Sequence, residues 1–329
     1  MTLIGNDVIE LVTAASLTDD LRQDVFRGLS MRPKTLSSKF FYDKWGSELF
    51  DRICELPEYY LTRTERSIMR TNIDAIAGAL GPRCLIVEFG SGASTKTTFL
   101  IDHLVDPVGY VPIDISRHHL EQSAARLAKR YPDVDVMPIC ADFHQDLPIP
   151  EPRRLQESTV VFFPGSTIGN LQEQEARRFL DRIADTTGPR GGLLIGIDLK
   201  KPREIVVPAY DDAAGVTAEF NLNLLARINR DLGADFKLDQ FRHEAVWNEG
   251  QSRMEMNLVS LYDQDVQIED RTFHFREGER TRTEYSHKYT RGHFQKIASS
   301  YLTEAAWTDP REWFCVLLLR PRTQEASEA

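Results

Sequence analysis

The sequence predicts an α/β protein with a doubly wound parallel sheet and a second, smaller α+β lobe. Two patterns support this prediction. Between residues 84 and 199, short apolar segments alternate with amphipathic ones, which is typical of parallel strands joined by crossover helices. After Lys200 the alternation stops, and segments with period-two polarity follow. Such segments are expected of antiparallel strands with one buried face.

The predicted elements can be placed in chain order. An amphipathic helix covers residues 21–29, a second helix is capped by Ser47, and a third begins at a capping box over residues 62–65 and stops before Gly81. The later elements follow from their apolar runs. Strands are expected near 84–89, 109–113, 134–139, 158–163 and 192–198; helices near 95–105, 116–130, 172–186, 213–232 and 288–302; antiparallel strands near 254–262, 266–268 and 272–275; and a closing strand near 312–319.

A glycine turn after the first strand of the sheet predicts a nucleoside-containing cofactor. Gly90 and Gly92 follow an apolar run, and the next strand ends at Asp114, 22 residues after Gly92. An acid in that position commonly binds a ribose diol. The third glycine of a dinucleotide fingerprint is replaced by Thr95, which argues against a nicotinamide enzyme.

Two further acids indicate which cofactor is bound. Glu88 lies two residues before the first glycine, where a carboxylate suits a cationic ligand better than a pyrophosphate. Asp142 and Phe143 end another apolar segment, and they could hold the amino group and ring of adenine. S-adenosylmethionine has a sulfonium, a ribose and no phosphate. The arrangement therefore resembles a class I methyltransferase. Each acid taken alone could be a helix cap or a surface carboxylate.

Composition limits the other functions. The net charge of −10 argues against a nucleic-acid partner. The four cysteines form no C-x-x-C pair, so reduced thiols in a cytoplasmic protein are expected. The histidines show no metal-ligand spacing, and we expect no metal. No signal-peptide pattern, membrane-length apolar run or heptad repeat is visible. We expect a cytoplasmic monomer without a membrane partner.

Several longer motifs resemble those of the L-histidine Nα-methyltransferases, which make hercynine on the way to ergothioneine. The resemblance runs from about residue 20 to about residue 320, and its motifs are far more specific than the glycine turn. These motifs are FYD at 41–43, GSELFD at 46–51, LPEYY at 56–60, GSTIGN at 165–170, AYDDAAGVTA at 209–218 and RTEYS at 282–286.

The resemblance implies a role for each matching residue. S-adenosylmethionine would contact Gly90, Lys96, Asp114, Asp142 and Phe143, and the glycine-turn pattern adds Glu88 and Gly92 to this set. L-Histidine would be the small-molecule substrate: Asn170 would bind its α-amino and carboxylate end, and Tyr59 and Tyr210 would bind the carboxylate and frame the amine. The histidine ring would contact Glu284 and Ser286 through its two nitrogens, and Met256 and Phe50 would line it. Tyr42 would border the methyl-transfer site and, with Asn170, make up the catalytic pair.

The residues by themselves leave alternatives to these roles. Asn170 follows a glycine and could occupy a left-handed turn position. Glu284 and Ser286 alternate along a predicted strand, so they share one face, but a solvated face would show the same pattern. Three other functions stay open: a betaine-forming methyltransferase for another amino acid such as tryptophan, a nicotinamide oxidoreductase, and an inert binding protein.

We expect two domains from these patterns. Residues 61–200 and 286–329 would form the S-adenosylmethionine-binding methyltransferase domain. Residues 1–60 and 201–285 would form the substrate-binding domain.

Overall fold

The computed structural model describes residues 12–13, 17–92, 95–142 and 147–322, and Phe143 lies outside these ranges. The helices are α1 (Leu17–Ser30), α2 (Lys44–Glu55), α3 (Tyr60–Leu80), α4 (Thr95–Ile101), α5 (Arg117–Arg130), α6 (Glu173–Thr187), α7 (Arg203–Val206), α8 (Val216–Leu232) and α9 (Arg291–Ile297). The strands are β1 (Val12–Thr13), β2 (Lys34–Thr35), β3 (Cys84–Phe89), β4 (Gly109–Asp114), β5 (Asp135–Val136), β6 (Ile139–Cys140), β7 (Ser158–Phe163), β8 (Gly192–Asp198), β9 (Phe241–Asn248), β10 (Arg253–Ser260), β11 (Gln264–Ile268), β12 (Arg271–Phe275), β13 (Arg280–His287), β14 (Tyr301–Thr308) and β15 (Phe314–Pro321).

The described chain divides into two compact units. The large-sheet unit contains β1 and residues 64–199 and 289–322. The small-sheet unit contains residues 17–63 and 200–288. We expected Val12 and Thr13 in the second lobe, but they pair with Ile139 and Cys140 of β6 in the large sheet.

The large sheet has the strand order β1-β6-β4-β3-β7-β8-β15-β14, with β5 beside β4. The strands from β1 to β8 pair in parallel, whereas β15 is antiparallel to both β8 and β14. Every residue of β3 and of β8 is buried, as expected of central strands covered on both faces. This is the doubly wound α/β sheet that the sequence predicts, so the prediction of the fold class is confirmed.

The small-sheet unit is built around the strand order β2-β13-β10-β9. β13, β10 and β9 are antiparallel, and β2 runs parallel to β13. A separate hairpin is formed by β11 and β12. The helix α8 is tied to the sheet where the Asn221 amide donates to the carbonyl of Asn257, at 3.0 Å.

The C-terminal part of the sheet differs from expectation. The helix predicted near 288–302 is shorter, and Tyr301–Thr308 forms the edge strand β14. This segment contains Glu304, Ala305 and Ala306, which are residue types that strands disfavour. Because its conformation is set by pairing with β15 rather than by local propensity, the sequence pattern does not reveal it.

Two predicted helix starts are also wrong. The N-cap of α2 is Asp43, whose carboxylate accepts from the backbone N–H of Gly46 at 2.8 Å, and Ser47 lies inside the helix. The helix α3 begins at Tyr60, so the expected capping box at 62–65 lies within its first turns. The Glu65 carboxylate contacts other groups, described below.

Candidate active site

The glycine turn after β3 is joined to the end of β4 by backbone hydrogen bonds. Gly90 and Ser91 donate to the carbonyl of Ile113, at 2.8 and 3.3 Å. The φ angles of Gly90 and Gly92 are +68° and +47°, a region that disfavours side chains. A Cβ at either glycine would meet no atom of the described residues within 4 Å. The turn therefore needs glycine for its backbone conformation.

Asp114 holds this turn in place. One carboxylate oxygen accepts from the backbone N–H of Gly92 at 2.9 Å, and the other accepts from that of Ser116 at 2.7 Å. Burial raises the pKa of Asp114, and its backbone hydrogen bonds oppose that shift. A carboxylate has about four lone-pair sites, so Asp114 can still accept from a ribose hydroxyl while it orders the turn.

Glu88 is buried inside the large-sheet unit with 2% of its surface exposed. The hydroxyl groups of Thr97 and Tyr110 both donate to the same carboxylate oxygen, Oε2. Burial raises the pKa of Glu88 to about 7, although these two hydrogen bonds and Lys96 act in the opposite direction. Glu88 is therefore only partly ionised near neutral pH.

Lys96 forms an ion pair with Glu65, a residue that the sequence analysis placed in a capping box. The same carboxylate accepts from the backbone N–H of Gly165 at 2.9 and 3.1 Å. Glu65 is 1% exposed, and a Cβ on Gly196 would lie 2.1 Å from its Oε1. This buried acid thus links α4 to the loop that follows β7, and no local pattern indicates it.

That loop contains Asn170, in a 3-10 turn over Thr167–Asn170. The positive φ angles of the loop are at Gly165, +77°, and Ser166, +59°. The interpretation of Asn170 as a left-handed turn residue is therefore wrong. The Ser166 hydroxyl accepts from the backbone N–H of Asp198 at 2.9 Å, which fixes the loop against the end of β8.

Asp142 follows β6 and is 8% exposed. In the sheet, Cys140 pairs with Asp114, and the backbone N–H of Ala141 donates to the carbonyl of Asp114 at 3.1 Å. Asp114 and Asp142 therefore follow neighbouring strands at the same edge of the sheet.

In the small-sheet unit, four predicted site residues form a continuous row of aromatic rings. Ring centroids are 5.6 Å apart for Tyr42 and Phe50, 6.1 Å for Phe50 and Tyr59, and 6.5 Å for Tyr59 and Tyr210. All three pairs are edge-to-face, a favourable arrangement. Phe220 of α8 packs against both Tyr42 and Phe50. Residues far apart in sequence are thus brought together.

Tyr59 is a neutral hydrogen-bonding group in this row. Burial raises its pKa well above the ordinary value, and the neighbouring Tyr210 and Glu284 add to the shift. Its hydroxyl therefore keeps its proton at neutral pH. Tyr59 can donate to a carboxylate, but it cannot act as a base.

The register of β10 and β13 places the remaining predicted residues on one face. Met256 lies opposite Glu284, and Met254 lies opposite Ser286. Directly opposed residues in an antiparallel pair share a face, as do residues two apart on a strand. Both methionines are buried, whereas Glu284 is half-buried.

Ser286 is part of a polar cluster with Tyr210 and Lys288. The Ser286 and Tyr210 hydroxyl oxygens are 2.7 Å apart, and the Lys288 ammonium group donates to them at 2.8 and 2.7 Å, respectively. None of the sequence motifs indicated Lys288. The alternation that grouped Glu284 with Ser286 also includes Lys288 two residues later, so the period-two pattern could have indicated it.

The backbone of Tyr210 is held by a second group that the sequence analysis missed, His243. Its Nε2 lies 2.8 Å from the Tyr210 carbonyl, and its Nδ1 lies 2.8 Å from the Asn221 amide nitrogen. The amide nitrogen of Asn221 can only donate, so Nδ1 of His243 accepts and Nε2 carries the proton. Burial lowers the pKa of His243, which favours this neutral tautomer.

The described residues contain neither a cluster of metal-ligating side chains nor a membrane-spanning helix. In residues 12–13, 17–92, 95–142 and 147–322, no group of three or more His, Cys, Asp or Glu side chains could hold a metal ion. Across the same described ranges, no helix is long and apolar enough to cross a membrane.

Comparison with known proteins identifies the family of this arrangement. The model of the histidine-specific, S-adenosylmethionine-dependent methyltransferases matches residues 21–321. Histidine N-alpha-methyltransferase of Mycolicibacterium smegmatis is 43% identical over 91% of this chain and 94% of that protein. The enzyme of the same name from Mycobacterium tuberculosis is 43% identical over 82% of this chain and 84% of its own. Ergothioneine biosynthesis protein 1 of Neurospora crassa is 28% identical over 88% of this chain and 34% of that protein.

These matches confirm the family resemblance over nearly the range that the motifs predicted. The protein is an enzyme, and S-adenosylmethionine is its cofactor, so the nicotinamide alternative is wrong. The carboxylates and glycine turn at the strand ends fit that cofactor, which has hydroxyl and amino groups to donate and no phosphate. The chain belongs to the family of histidine-specific, S-adenosylmethionine-dependent methyltransferases.

Proposed function

We propose that this protein transfers three methyl groups from S-adenosylmethionine to the α-amino group of L-histidine, giving hercynine, as a step in ergothioneine biosynthesis. The observation that carries the proposal is the shared face of β10 and β13, where Met256 lies opposite Glu284 and Ser286 follows two residues later. A neutral imidazole presents one N–H donor and one nitrogen acceptor. The Glu284 carboxylate accepts from the first, and the Ser286 hydroxyl donates to the second.

The aromatic row binds the rest of the amino acid. Tyr59 and Tyr210 bind the carboxylate and frame the amine, Phe50 packs with Met256 against the ring, and Tyr42 borders the reacting nitrogen. Asn170 binds the amino and carboxylate end. Hydroxyl and amide groups suit this task because a carboxylate beside the amine would stabilise its protonated, unreactive form. Aromatic faces also stabilise a quaternary ammonium product.

The cofactor supplies an electrophilic methyl group on a sulfonium, and it is held by Gly90, Gly92, Lys96, Asp114 and Asp142. Each transfer would form an N–C bond at the α-amino nitrogen at the expense of the S–C bond and leave S-adenosylhomocysteine. The α-ammonium group of histidine and the first two products would each lose a proton before the attack that follows, and the third product would be a quaternary ammonium. The residues of this chain contribute alignment, which is catalysis by proximity and orientation. Tyr59 does not take the proton, because burial keeps its hydroxyl protonated.

Glu88 supports the cofactor-binding residues by ordering the side chains next to it. Its buried carboxylate fixes the hydroxyl groups of Thr97 on α4 and Tyr110 on β4. Phe143, predicted to pack on adenine, lies outside the described residues, and its role stays a prediction.

We further propose that the enzyme works as a monomer in the cytoplasm. All four cysteines are free thiols, which suits a reducing compartment. Light scattering during gel filtration tests the monomer, and a mass corresponding to two chains would contradict it.

The function is tested by incubating the purified protein with S-adenosylmethionine and an equimolar pool of the twenty amino acids. Mass spectrometry should find three added methyl groups on histidine alone. Trimethylation of another amino acid would keep the cofactor but refute the assignment of Glu284 and Ser286.

A further inference from the structure

The Lys288 ammonium group is buried beside the two hydroxyl groups that the proposed function assigns to histidine. Lys288 is 2% exposed, and its Nζ lies 2.7 Å from the Tyr210 hydroxyl and 2.8 Å from that of Ser286. Burying a charge costs free energy unless hydrogen bonds compensate. A packing role alone would be filled at lower cost by an apolar side chain.

An ammonium group has three donors and no acceptor, so both hydroxyl oxygens accept from Lys288. The two hydroxyls lie 2.7 Å apart, and either one can donate to the other. The hydroxyl that accepts from the other one also accepts from Lys288, so both of its lone pairs are engaged. Its own hydrogen must therefore point to a third group. Lys288 therefore determines that the Ser286–Tyr210 pair presents a hydrogen-bond donor.

Glu284, Ser286 and Lys288 alternate along the end of β13 and just beyond it. The face consequently has an anionic acceptor in Glu284 and, next to it, a hydroxyl pair polarised as a donor. Without Lys288, the Ser286 hydroxyl could rotate and accept instead, because a serine hydroxyl does both.

We propose that Lys288 is a positioning residue that fixes the hydroxyl pair of Ser286 and Tyr210 as a hydrogen-bond donor to the substrate. The side-chain set then selects a ring that presents one donor and one acceptor. This inference rests on the proposed function. It holds that Lys288 determines whether the histidine-binding hydroxyl pair donates or accepts.

The small-sheet unit contains a matched control. Lys201 is also buried, and its Nζ donates to the Tyr60 hydroxyl at 2.9 Å. This is the same kind of lysine–tyrosine contact, but neither residue belongs to the proposed histidine-binding set. Lys201→Met therefore reports the general cost of removing a buried lysine.

The experiment uses the full-length enzyme with the variants Lys288→Met, Ser286→Ala, their double mutant and Lys201→Met. The KM and kcat for L-histidine are measured at saturating S-adenosylmethionine, the cofactor Kd by calorimetry, and the Tm of each variant. Lys288→Met should raise the histidine KM about tenfold, as expected for lost hydrogen bonds to a charged group. The kcat of Lys288→Met should change by less than about twofold, and its Kd for the cofactor should match that of the wild type. The control Lys201→Met should have the histidine KM of the wild type.

The double mutant tests whether Lys288 acts through Ser286. If it does, the double mutant should have the KM of the worse single variant, because coupled effects do not multiply. Should Lys288→Met fail to fold, Lys288→Gln serves instead. Glutamine keeps an N–H donor, and its KM should lie between those of the wild type and Ser286→Ala.

An unchanged KM in a folded Lys288 variant, or effects that multiply in the double mutant, would overturn the positioning role. Failure of the proposed function gives a different result, because the wild-type enzyme would then yield no methylated histidine in the same assay.

Discussion

The two units of this enzyme build their candidate sites in different ways. In the large-sheet unit, the groups assigned to the cofactor lie where consecutive strands end, and backbone N–H groups order them: Asp114 accepts from Gly92 and Ser116. In the small-sheet unit, the groups assigned to histidine come from α2, from loops and from β10 and β13, and side chains order one another. A local motif therefore indicates the first site, whereas only tertiary packing assembles the second.

The difference also concerns buried charge. The large-sheet unit buries acids, with Glu88 bonded to two hydroxyls and Glu65 to an ammonium group and a backbone N–H. In the small-sheet unit, the buried charge beside the groups assigned to histidine is a cation, Lys288, which donates to two hydroxyls. We infer that the first arrangement stabilises a rigid cofactor platform and that the second sets hydrogen-bond polarity toward a substrate. The following predictions test this contrast, from the largest expected effect to the smallest.

The largest effect is expected from Gly196→Ala in the large-sheet unit. The new Cβ would lie 2.1 Å from Glu65 Oε1 and 2.9 Å from the Phe314 ring, and Glu65 cannot move without losing Lys96 and Gly165. The loss of stability should be about 3 kcal/mol or more, measured by denaturant unfolding. Gly78→Ala is the control, since its Cβ would meet no atom within 4 Å in the part of the chain that the structure describes. Equal stability of the two variants would contradict the role of Glu65.

Glu88→Gln should change how stability depends on pH. Burial raises the folded-state pKa of Glu88 to about 7, from an ordinary 4.5. The contribution of Glu88 to the free energy of unfolding is therefore fully present below pH 4.5 and is lost as the pH rises through 7. Glutamine can still accept from both hydroxyls. Relative to the wild type, we expect the free energy of unfolding of the variant to increase by up to about 3 kcal/mol between pH 4.5 and 8.

Chemical unfolding at several pH values measures that gain. Glu157→Gln, at an exposed acid paired with Arg83, is the control and should parallel the wild type. If the free energy of unfolding of Glu88→Gln also followed that of the wild type at every pH, Glu88 would ionise normally.

Asp114→Asn should weaken cofactor binding about thirtyfold, the usual range for lost hydrogen bonds to a charged acceptor. An amide would direct N–H hydrogens at the backbone N–H of either Gly92 or Ser116, both of which are donors. Calorimetric titration with S-adenosylmethionine measures the effect. Asp102→Asn, an exposed acid beside Arg130, should bind as the wild type does; equal affinity of both variants would exclude Asp114 from the cofactor site.

The smallest effect is expected from Met256→Leu, which conserves volume but changes shape. If Met256 lines the imidazole ring, kcat/KM for histidine should fall about threefold, within the usual cost of such swaps. Met254→Leu, opposite Ser286 on the same face, should stay within about twofold. A larger effect at Met254 would mean that the ring lies nearer to Ser286 than to Glu284.

Sequence patterns predicted the parallel sheet because apolar runs and glycine turns are local. They predicted the shared face of Glu284 and Ser286 because alternation along a strand is equally local. Glu65, Lys288 and His243 were missed because their partners lie far away in sequence or, for Lys288, because a buried lysine looks like a surface residue. β14 was missed for the same reason: its partner, not its composition, makes it a strand.

The family motifs added what periodicity could not. Tyr42, Phe50, Tyr59 and Tyr210 carry no local signal that would group them, yet their rings form one row. The grouping came from the resemblance, and the geometry then supplied the contacts. Their roles toward histidine stay predictions.

The most direct test of the central claim, that Glu284 on β13 selects histidine, compares kcat/KM for L-histidine and L-phenylalanine in the wild type and in Glu284→Ala. We predict that the substitution lowers kcat/KM for histidine about a hundredfold and leaves that for phenylalanine almost unchanged, because only the imidazole donates to the carboxylate. Unchanged kcat/KM for histidine in the folded variant would contradict the account.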